Sequence, residues 1–261
     1  MRSINKNDLH NIPGKHLKAN EIFKFRCHPD LSCFNRCCRN LNLFLYPYDV
    51  LRLKNAVGLD SDNFLDRYVD IVLRDGNYFP DVLLKMAEDQ ERSCCFLTSK
   101  GCKVYLDRPD TCRGFPMEKG MIPTSKKASP QIVYFFRPPE FCMGDREPFE
   151  HTPQSWTHDQ KAEIYEQMTI LWAKLKQMFT TDPWGGQGLN GSKGKMAFMA
   201  AYNLDRFRQF IFESSFLTRY KVKSTDLKKI HTDDRQLLLF AFDWIKLFVW
   251  GRPSKKIRPR S

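Results

Sequence analysis

Two dense groups of cysteines are the residues whose type and spacing point most directly to chemistry. The first group reads Cys27-His-Pro-Asp-Leu-Ser-Cys33-Phe-Asn-Arg-Cys37-Cys38, which places four thiols within twelve residues. Single cysteines serve as small core hydrophobes, but the adjacent Cys37 and Cys38 cannot both occupy one apolar face of a helix or strand. Closely spaced thiolates instead converge on one soft cation, as in tetrahedral zinc sites with Zn–S bonds of about 2.3 Å.

The second group is longer and is interrupted by turn residues. It reads Cys94-Cys95-Phe-Leu-Thr-Ser-Lys-Gly-Cys102 and is followed by Cys112 and Cys142. Gly101, immediately before Cys102, predicts a knuckle turn in which backbone N–H groups approach a coordinated sulfur. Several thiolates around one cation carry excess negative charge, so we expect cationic neighbours, for which the candidates are Lys103, Arg108 and Arg113.

Composition narrows the chemistry of these thiols. The sequence has nine cysteines, and its first residues contain no apolar leader. We therefore expect a cytoplasmic, reducing location without a membrane span, where cysteines act as metal ligands or redox thiols. Thiolate ligation suits zinc or iron–sulfur centres and disfavours calcium and magnesium, which prefer oxygen. Two four-coordinate sites and one larger iron–sulfur assembly both remain open.

Other candidate sites have weaker patterns. His28 beside Cys27 is an alternative nitrogen ligand, but no H-E-x-x-H pair is present and the remaining histidines are scattered, which argues against a zinc hydrolase. The G-x-G-x-x-G pattern from Gly186 to Gly191 follows a predicted helix rather than a strand, so a phosphate cradle is not expected.

The elements that must position the thiols are short. Apolar periodicity predicts a helix from Tyr48 to Val57 and a second one after an N-cap at Ser61 or Asp62. The runs CFLT, CKVYL and QIVYFF predict small strands separated by glycine and proline. From Thr157 onward the pattern is helical and predicts about three helices, over residues 164–178, 196–220 and 233–250.

These patterns predict an α+β protein that is mainly helical, with a cysteine-rich metal-binding part containing short strands and a C-terminal set of about three helices. We expect an N-terminal arm over residues 1–20 and a cysteine-cluster metal-binding domain over 21–148. A helical region packed on that domain would cover 149–250, and a basic disordered tail would cover 251–261.

The net charge of +12 raises the alternative of a zinc-stabilised nucleic-acid-binding protein. Five of the cations lie in residues 251–261, which contain no acid, and Lys126 and Lys127 add a second basic site. Against this alternative, no zinc-finger spacing with a recognition helix is visible. A nucleic-acid partner therefore rests on charge alone.

The cysteine pattern resembles the YkgJ-type cysteine-cluster family, a zinc- or iron-chelating domain that is also linked to flagellin lysine N-methylase. That family has C-x-x-C-x-x-C-C, an aspartate before R-L, C-x-F-L, C-x-x-Y, R-P-x-x-C-R-x-F-P and a late cysteine next to glycine. The matching residues here are Cys27, Cys33, Cys37, Cys38, Asp49, Arg52, Leu53, Cys95-Phe-Leu, Cys102-Lys-Val-Tyr105, Arg108-Pro109, Cys112-Arg113, Phe115-Pro116 and Cys142-Met-Gly144. The gaps after Cys27 and Cys33 are five and three residues instead of two.

The resemblance implies a ligand set, a cofactor and a role. The eight implied metal ligands are Cys27, Cys33, Cys37, Cys38, Cys95, Cys102, Cys112 and Cys142. Cys94 is left as a spare thiol or substitute ligand, because the C-x-F-L spacing favours Cys95. The implied cofactor is zinc or iron, with an iron–sulfur cluster as one form. The metal ion is also the binding partner that the resemblance implies.

The implied role is structural, electron-carrying or metal-handling. The rival is a protein-modifying enzyme resembling flagellin lysine N-methylase, but nothing else in the sequence resembles a methyl-donor pocket. The sequence identifies no catalytic residue and no protein partner, and it does not decide whether the chain is an enzyme.

Overall fold

The computed structural model describes residues 1–124 and 130–260. Its helices are α1 Pro47–Ala56, α2 Ser61–Tyr68, α3 Asp110–Gly114, α4 Pro153–Asp159, α5 Glu163–Lys176, α6 Ser192–Tyr202, α7 Leu204–Glu213, α8 Phe216–Arg219, α9 Ser224–Thr232 and α10 Asp234–Trp250. Its strands are β1 Arg2–Ser3, β2 Lys15–Leu17, β3 Phe23–Lys24, β4 Phe44–Leu45, β5 Val69–Val72, β6 Asp81–Leu84, β7 Leu97–Thr98, β8 Gly101–Cys102, β9 Met117–Ile122, β10 Gln131–Phe136, β11 Glu150–His151, β12 Tyr220–Val222 and β13 Ile257–Pro259. Helix at 45% and strand at 17% confirm the predicted mainly helical α+β class.

The chain divides into two compact units, each built from two segments. The cysteine unit comprises residues 1–43 and 86–173, and the helical unit comprises 44–85 and 174–261. This division differs from the predicted domains, which followed cysteine content and placed residues 44–85 with the thiols. The segment instead joins the later helices because α1 packs on α6 and α10, and α2 packs on α7. Such long-range apolar contacts leave no mark in local composition.

A four-stranded sheet forms the frame of the cysteine unit. Its strand order is β1-β9-β10-β2, with β9 and β10 antiparallel and β1 parallel to β9. Val133 and Phe135 alternate with more exposed residues along β10 and are buried, as a strand with one covered face requires. The predicted QIVYFF strand is thus confirmed. CFLT and CKVYL form only the two-residue strands β7 and β8, and a 3₁₀ turn over Tyr105–Asp107 replaces the end of the second.

An apolar cluster in the cysteine unit includes Cys142 among its buried residues. The cluster's buried members are Leu17, Phe23, Phe25, Met117, Cys142 and Trp156. The ring of Phe25 lies edge-on to that of Trp156 at 5.4 Å between centroids. The Trp156 indole N–H also donates to the carbonyl of Gly114, at 3.2 Å. Helix α4 is thereby attached to the segment that follows Cys112.

Helix α10 is the centre of the helical unit. It begins after Asp233, whose side chain accepts the N–H of Gln236, and ends at Gly251 in the left-handed conformation with φ of 64°. Trp244 is fully buried, with its ring 5.2 Å from that of Phe207 and 4.6 Å from that of Phe248. Packed aromatic rings therefore form part of this core beside aliphatic side chains such as Leu237 and Ile245.

Polar contacts inside the helical unit fix its first two helices. The predicted helix over Tyr48–Val57 is confirmed as α1. The N-cap of α2 is Asp60 rather than the predicted Ser61 or Asp62, because the Asp60 carboxylate accepts the N–H of Asn63. Ser61 instead donates its N–H and hydroxyl to Asp205, at 2.7 and 2.8 Å. Lys54 forms an ion pair with the same carboxylate at 3.1 Å.

The C-terminal helices are more numerous than the three predicted. The helix expected over residues 196–220 is broken at Asn203, whose side chain accepts the N–H of Arg206 and starts α7, and again after Glu213. Helix α9 was missed because it buries only Ile230 and so shows little apolar periodicity. Within the described residues, no helix is long and apolar enough to cross a membrane.

The segment predicted as a disordered tail contains ordered structure. Strand β13 pairs antiparallel with β12, with Val222 opposite Ile257. Ile257 is only 1% exposed. The prediction was wrong because basic composition hid one apolar side chain whose burial requires a partner more than thirty residues away in sequence.

Candidate metal centre

The backbones that carry Cys27 and Cys142 are joined directly. The N–H of Arg26 donates to the carbonyl of Gly144 at 2.9 Å. A side chain at position 144 would place its Cβ only 2.6 Å from the Phe25 ring and 2.7 Å from the Arg26 carbonyl oxygen. Glycine is therefore required for this close approach. The contact fixes two loops that are far apart in sequence but both bear a candidate ligand.

The first thiol group consists of Cys27, Cys33 and Cys142. The N–H of Met143 donates to Cys33 Sγ at 3.2 Å, a contact of the kind that stabilises thiolates in metal sites. Cys33 and Cys142 are each 7% exposed, whereas Cys27 is exposed. Burial raises the pKa of Cys27, and the nearby Cys33, Cys142 and Cys38 raise it further. Burial also raises the pKa of Cys142, with Cys33 again a contributor.

The second thiol group consists of Cys37, Cys38, Cys94, Cys95 and Cys102. Cys37 and Cys38 lie in a 3₁₀ turn over Arg36–Cys38. The N–H of Cys94 donates to the carbonyl of Cys38 at 2.8 Å, and bridges join Arg39 to Ser93 and Met86 to Cys94. The two adjacent-cysteine pairs, 56 residues apart in sequence, are therefore neighbours in space.

Hydrogen bonds within the two pairs shift the pKa values of Cys38, Cys94 and Cys95. The hydrogen bond from Cys95 lowers the pKa of Cys94 to about 7, against the effect of burial, and the N–H groups of Phe96 and Leu97 assist. The matching contact with Cys94, together with burial, raises the pKa of Cys95. A hydrogen bond with Cys37 and burial raise that of Cys38 in the same way. Cys94, left as a spare by the sequence, thus forms a thiolate at a lower pH than an ordinary cysteine.

A tight hairpin positions Cys102 in the second thiol group. Strands β7 and β8 pair with Leu97 opposite Cys102, and Gly101 has φ of 111°. The predicted turn at Gly101 is confirmed, because only glycine adopts this backbone conformation without strain. Burial raises the pKa of Cys102, and Cys94 and Cys38 add to the effect.

Cys112 lies in α3 and interacts electrostatically with the guanidinium of Arg108. Burial lowers the pKa of the Arg108 guanidinium, while Cys112 and Cys102 nearby oppose that shift. The same guanidinium lies 3.9 Å from the centre of the Tyr105 ring and donates to the Tyr105 carbonyl at 2.7 Å. Arg108 is therefore a cation close to two candidate ligands, as predicted.

Arg113 and Lys103 act differently from the prediction. The buried Arg113 guanidinium donates to the backbone carbonyls of Leu106, Arg108 and Gln160. It thus fixes the loop between Cys102 and Cys112 rather than the thiols themselves. Lys103 is exposed, and its backbone N–H donates to the carbonyl of Phe96.

His28 faces carboxylates instead of thiols. Its Nδ1 lies 3.4 Å from Asp30 and its Nε2 lies 3.5 Å from Glu147. Both ring nitrogens therefore have acidic neighbours, and the structure does not bring His28 into either thiol group.

A cationic cleft of about 420 Å³ opens beside the second thiol group. Its lining comprises Arg36, Arg39, Asn40, Gln90, Glu91, Arg92 and Phe141. Arg39 donates to Glu91 at 2.8 Å, and the Arg36 guanidinium lies 4.8 Å from the centre of the Phe141 ring. Arg36 and Arg39 are the sequence neighbours of the Cys37–Cys38 pair, and the charge of Arg39 opposes the rise in the pKa of Cys38.

The donor chemistry fits a thiophilic metal, although the ligand set stays a prediction. Among the residues that the structure describes, no three His, Cys, Asp or Glu side chains are arranged closely enough to hold a metal ion. The nine cysteines nevertheless all lie in one unit. Sulfur donors with N–H and guanidinium neighbours suit zinc or iron rather than magnesium or calcium.

Comparison with known proteins identifies the region that contains the thiols. Residues 26–143, somewhat less than half of the chain, match the family CxxCxxCC, described as "Putative zinc- or iron-chelating domain". No curated protein and no solved structure matches the chain. The residues matched begin one position before Cys27 and end one position after Cys142, so the family covers both thiol groups. Residues 26–143 therefore match the CxxCxxCC family, and the predicted resemblance to a cysteine-cluster family is confirmed.

Proposed function

We propose that this protein binds zinc or iron through thiolates of its cysteine unit. The proposed ligands are Cys27, Cys33, Cys37, Cys38, Cys95, Cys102, Cys112 and Cys142. The observation that carries the proposal is the hydrogen bond from the Cys94 N–H to the Cys38 carbonyl, 2.8 Å long. It brings together two pairs of adjacent thiols from distant parts of the sequence, for which ordinary core packing offers no reason.

The separation of the thiols into two groups supports two metal sites rather than one. Cys27, Cys33 and Cys142 interact with one another, and Cys38, Cys94 and Cys102 form a second set, in which Cys38 also acts on Cys27. Zinc at such sites would supply a structural cross-link, and an iron–sulfur centre would supply one-electron transfer. In both cases the chain's contribution is to hold sulfurs in place and to offset their charge through Arg108 and the Met143 N–H.

Anaerobic purification followed by metal analysis and an absorption spectrum tests the proposal. A brown protein that absorbs visible light would identify an iron–sulfur centre, and a colourless protein with stoichiometric zinc would identify structural sites. Protein that contains neither metal after reconstitution with zinc, and after reconstitution with iron and sulfide, would refute the proposed function.

Serine variants test the two-site arrangement. With two sites, Cys33→Ser should remove one metal site and Cys38→Ser the other, whereas one shared cluster would lose all metal in either variant. Cys94→Ser is the matched control for Cys95→Ser. Retention of metal in the first and loss in the second would support the proposed ligands, and the reverse result would assign Cys94 as the ligand.

A further inference from the structure

Strands β12 and β13 form a ribbon, which we call the basic ribbon, whose exposed face carries opposed cations. Lys221 lies directly opposite Arg258 in the antiparallel pair. The N–H of Arg260 donates to the carbonyl of Arg219 at 2.8 Å, which continues the same register. All four side chains are exposed. One cross-strand pair of like charge, Lys221 and Arg258, therefore has two further exposed cations, Arg219 and Arg260, at its end.

The other face of the basic ribbon attaches it to the helical unit. Ile257 is buried and Val222, directly opposite, is half-buried. Because side chains alternate along a strand, anchoring these two residues leaves Lys221 and Arg258 on the opposite, solvent face. The cations are thus held on a fixed backbone rather than on a mobile segment.

The arrangement lacks internal charge compensation. Like charges directly opposite each other destabilise a strand pair. Residues 214–225 and 251–260 contain no aspartate or glutamate. Within the described part of the chain, no carboxylate forms an ion pair with Arg219, Lys221, Arg258 or Arg260. An external polyanion would relieve the repulsion.

We infer that the basic ribbon binds nucleic acid through its phosphate backbone. Duplex nucleic acid carries one negative charge per about 1.7 Å of its axis, and the DNA major groove admits a two-stranded ribbon. Lys221 and Arg258 lie opposite each other on the two strands, and Arg219 and Arg260 lie beside them, which lets one ribbon contact several phosphates. Contacts of this kind carry no sequence information, and the site requires no metal.

A membrane surface fits the ribbon less well. Stable surface anchoring combines basic side chains with inserted apolar ones. The large exposed apolar side chains of the described residues all lie elsewhere, at Ile22, Ile71, Leu73, Tyr78, Tyr105, Leu106 and Phe149.

Fluorescence anisotropy of the full chain with a labelled duplex DNA of mixed sequence tests the inference. Binding should weaken steeply between about 50 and 200 mM salt, because phosphate contacts release counterions. The double variant Lys221→Gln/Arg258→Gln should bind at least tenfold more weakly, and its log–log salt slope should fall by about 2 because two phosphate contacts are lost.

Lys6→Gln/Lys18→Gln is the matched control, because it removes two exposed cations outside the ribbon. It should change affinity less than twofold, and thermal unfolding of both variants should match that of the native protein. Equal weakening by the two double variants would show that only net charge matters and would overturn the inference. Binding to phosphatidylserine vesicles without binding to duplex or single-stranded nucleic acid would overturn it as well and would identify a membrane surface.

Discussion

The two units differ in what maintains their order. Around the thiols of the cysteine unit, strands β7 and β8 are two residues long and the Cys37–Cys38 pair lies in a single 3₁₀ turn. In the helical unit, one helix of 17 residues buries eight side chains. Apolar burial stabilises the second arrangement by itself, whereas short elements of the first kind gain most from cross-linking by metal. The difference teaches that one chain can combine a region of short elements around its cysteines with a region built on a long buried helix.

Metal removal should have the largest effect and should fall on one unit. Chelation under reducing conditions should raise hydrogen exchange at residues 33–38 and 94–112 far more than at 204–213 and 237–248, because structural zinc contributes on the order of 10 kcal/mol in small domains. Hydrogen exchange with mass spectrometric detection measures this. Uniform loss of protection would mean that the two units unfold together, and no change would mean that the thiols bind nothing of structural consequence.

A core truncation should produce the converse effect. Trp244→Ala should lower the free energy of unfolding of the helical unit by about 3–5 kcal/mol, because a fully buried aromatic side chain is removed, while metal content stays the same. Urea unfolding followed by circular dichroism, with metal analysis of the folded protein, measures both quantities. Trp244→Phe is the control and should cost clearly less. Loss of metal in Trp244→Ala would show that order in the cysteine unit depends on the helical core.

The buried side chain of Ile257 allows a further test, with a smaller expected effect, of what stabilises the helical unit. Ile257→Ala should lower the stability of the helical unit by about 2–4 kcal/mol, because this buried side chain anchors the basic ribbon. Ile22→Ala, at a position that is 55% exposed, should cost less than about 0.5 kcal/mol. Thermal unfolding compares the two variants. If Ile257→Ala matches Ile22→Ala, residues 251–260 contribute nothing to the fold, as the sequence-based prediction of a disordered tail had it.

Acidification should have the smallest effect on stability of these tests, and it should act on the two units at different pH values. Burial acts to raise the pKa of Asp205, but hydrogen bonds from Ser61 and Lys54 outweigh it and hold that pKa below its usual range. The resulting stabilisation, about 1 kcal/mol for a half-exposed group, is present above the unfolded-state pKa of about 3.9. It is lost as pH falls through the lower, folded-state pKa.

Asp205→Asn should therefore be less stable than the native protein at neutral pH and should converge with it in strong acid. The cysteine unit should respond at higher pH, because burial raises the pKa of Cys27, Cys102 and Cys142 and metal binding must release their protons. If metal loss and Asp205-dependent destabilisation occurred at the same pH, the prediction that the two units respond separately to acid would be wrong. Urea midpoints and metal content measured across the pH series check both responses.

Sequence patterns predicted those elements whose conformation depends on residues close together in the sequence. The helix at Pro47–Ala56, the QIVYFF strand and the turn at Gly101 follow from periodicity and from a backbone angle that glycine alone tolerates. The cysteine-cluster family was likewise readable, because its motifs are short and specific.

Contacts between distant segments were not predictable. Neither the neighbourhood of Cys38 and Cys94 nor the pairing of Tyr220–Val222 with Ile257–Pro259 has a local signal. The basis of the Cys94 acidity is a hydrogen bond from Cys95, which depends on side-chain geometry rather than on spacing. Lys126 and Lys127, which supported the nucleic-acid alternative, lie outside the described residues.

Because each of the two units is built from two separate segments, neither is complete until its second segment has been synthesised. Cys94 follows Cys38 by 56 residues, so at about 5–20 residues per second the ribosome needs about 3 to 11 s to supply the second pair of thiols. During that interval Cys27, Cys33, Cys37 and Cys38 are exposed to oxidants and to any free thiophilic ion. The helical unit waits longer still, because its first segment ends at Lys85 and its second begins at Lys174. A nascent chain of this topology therefore carries its first four cysteines for several seconds before those of the second pair are made.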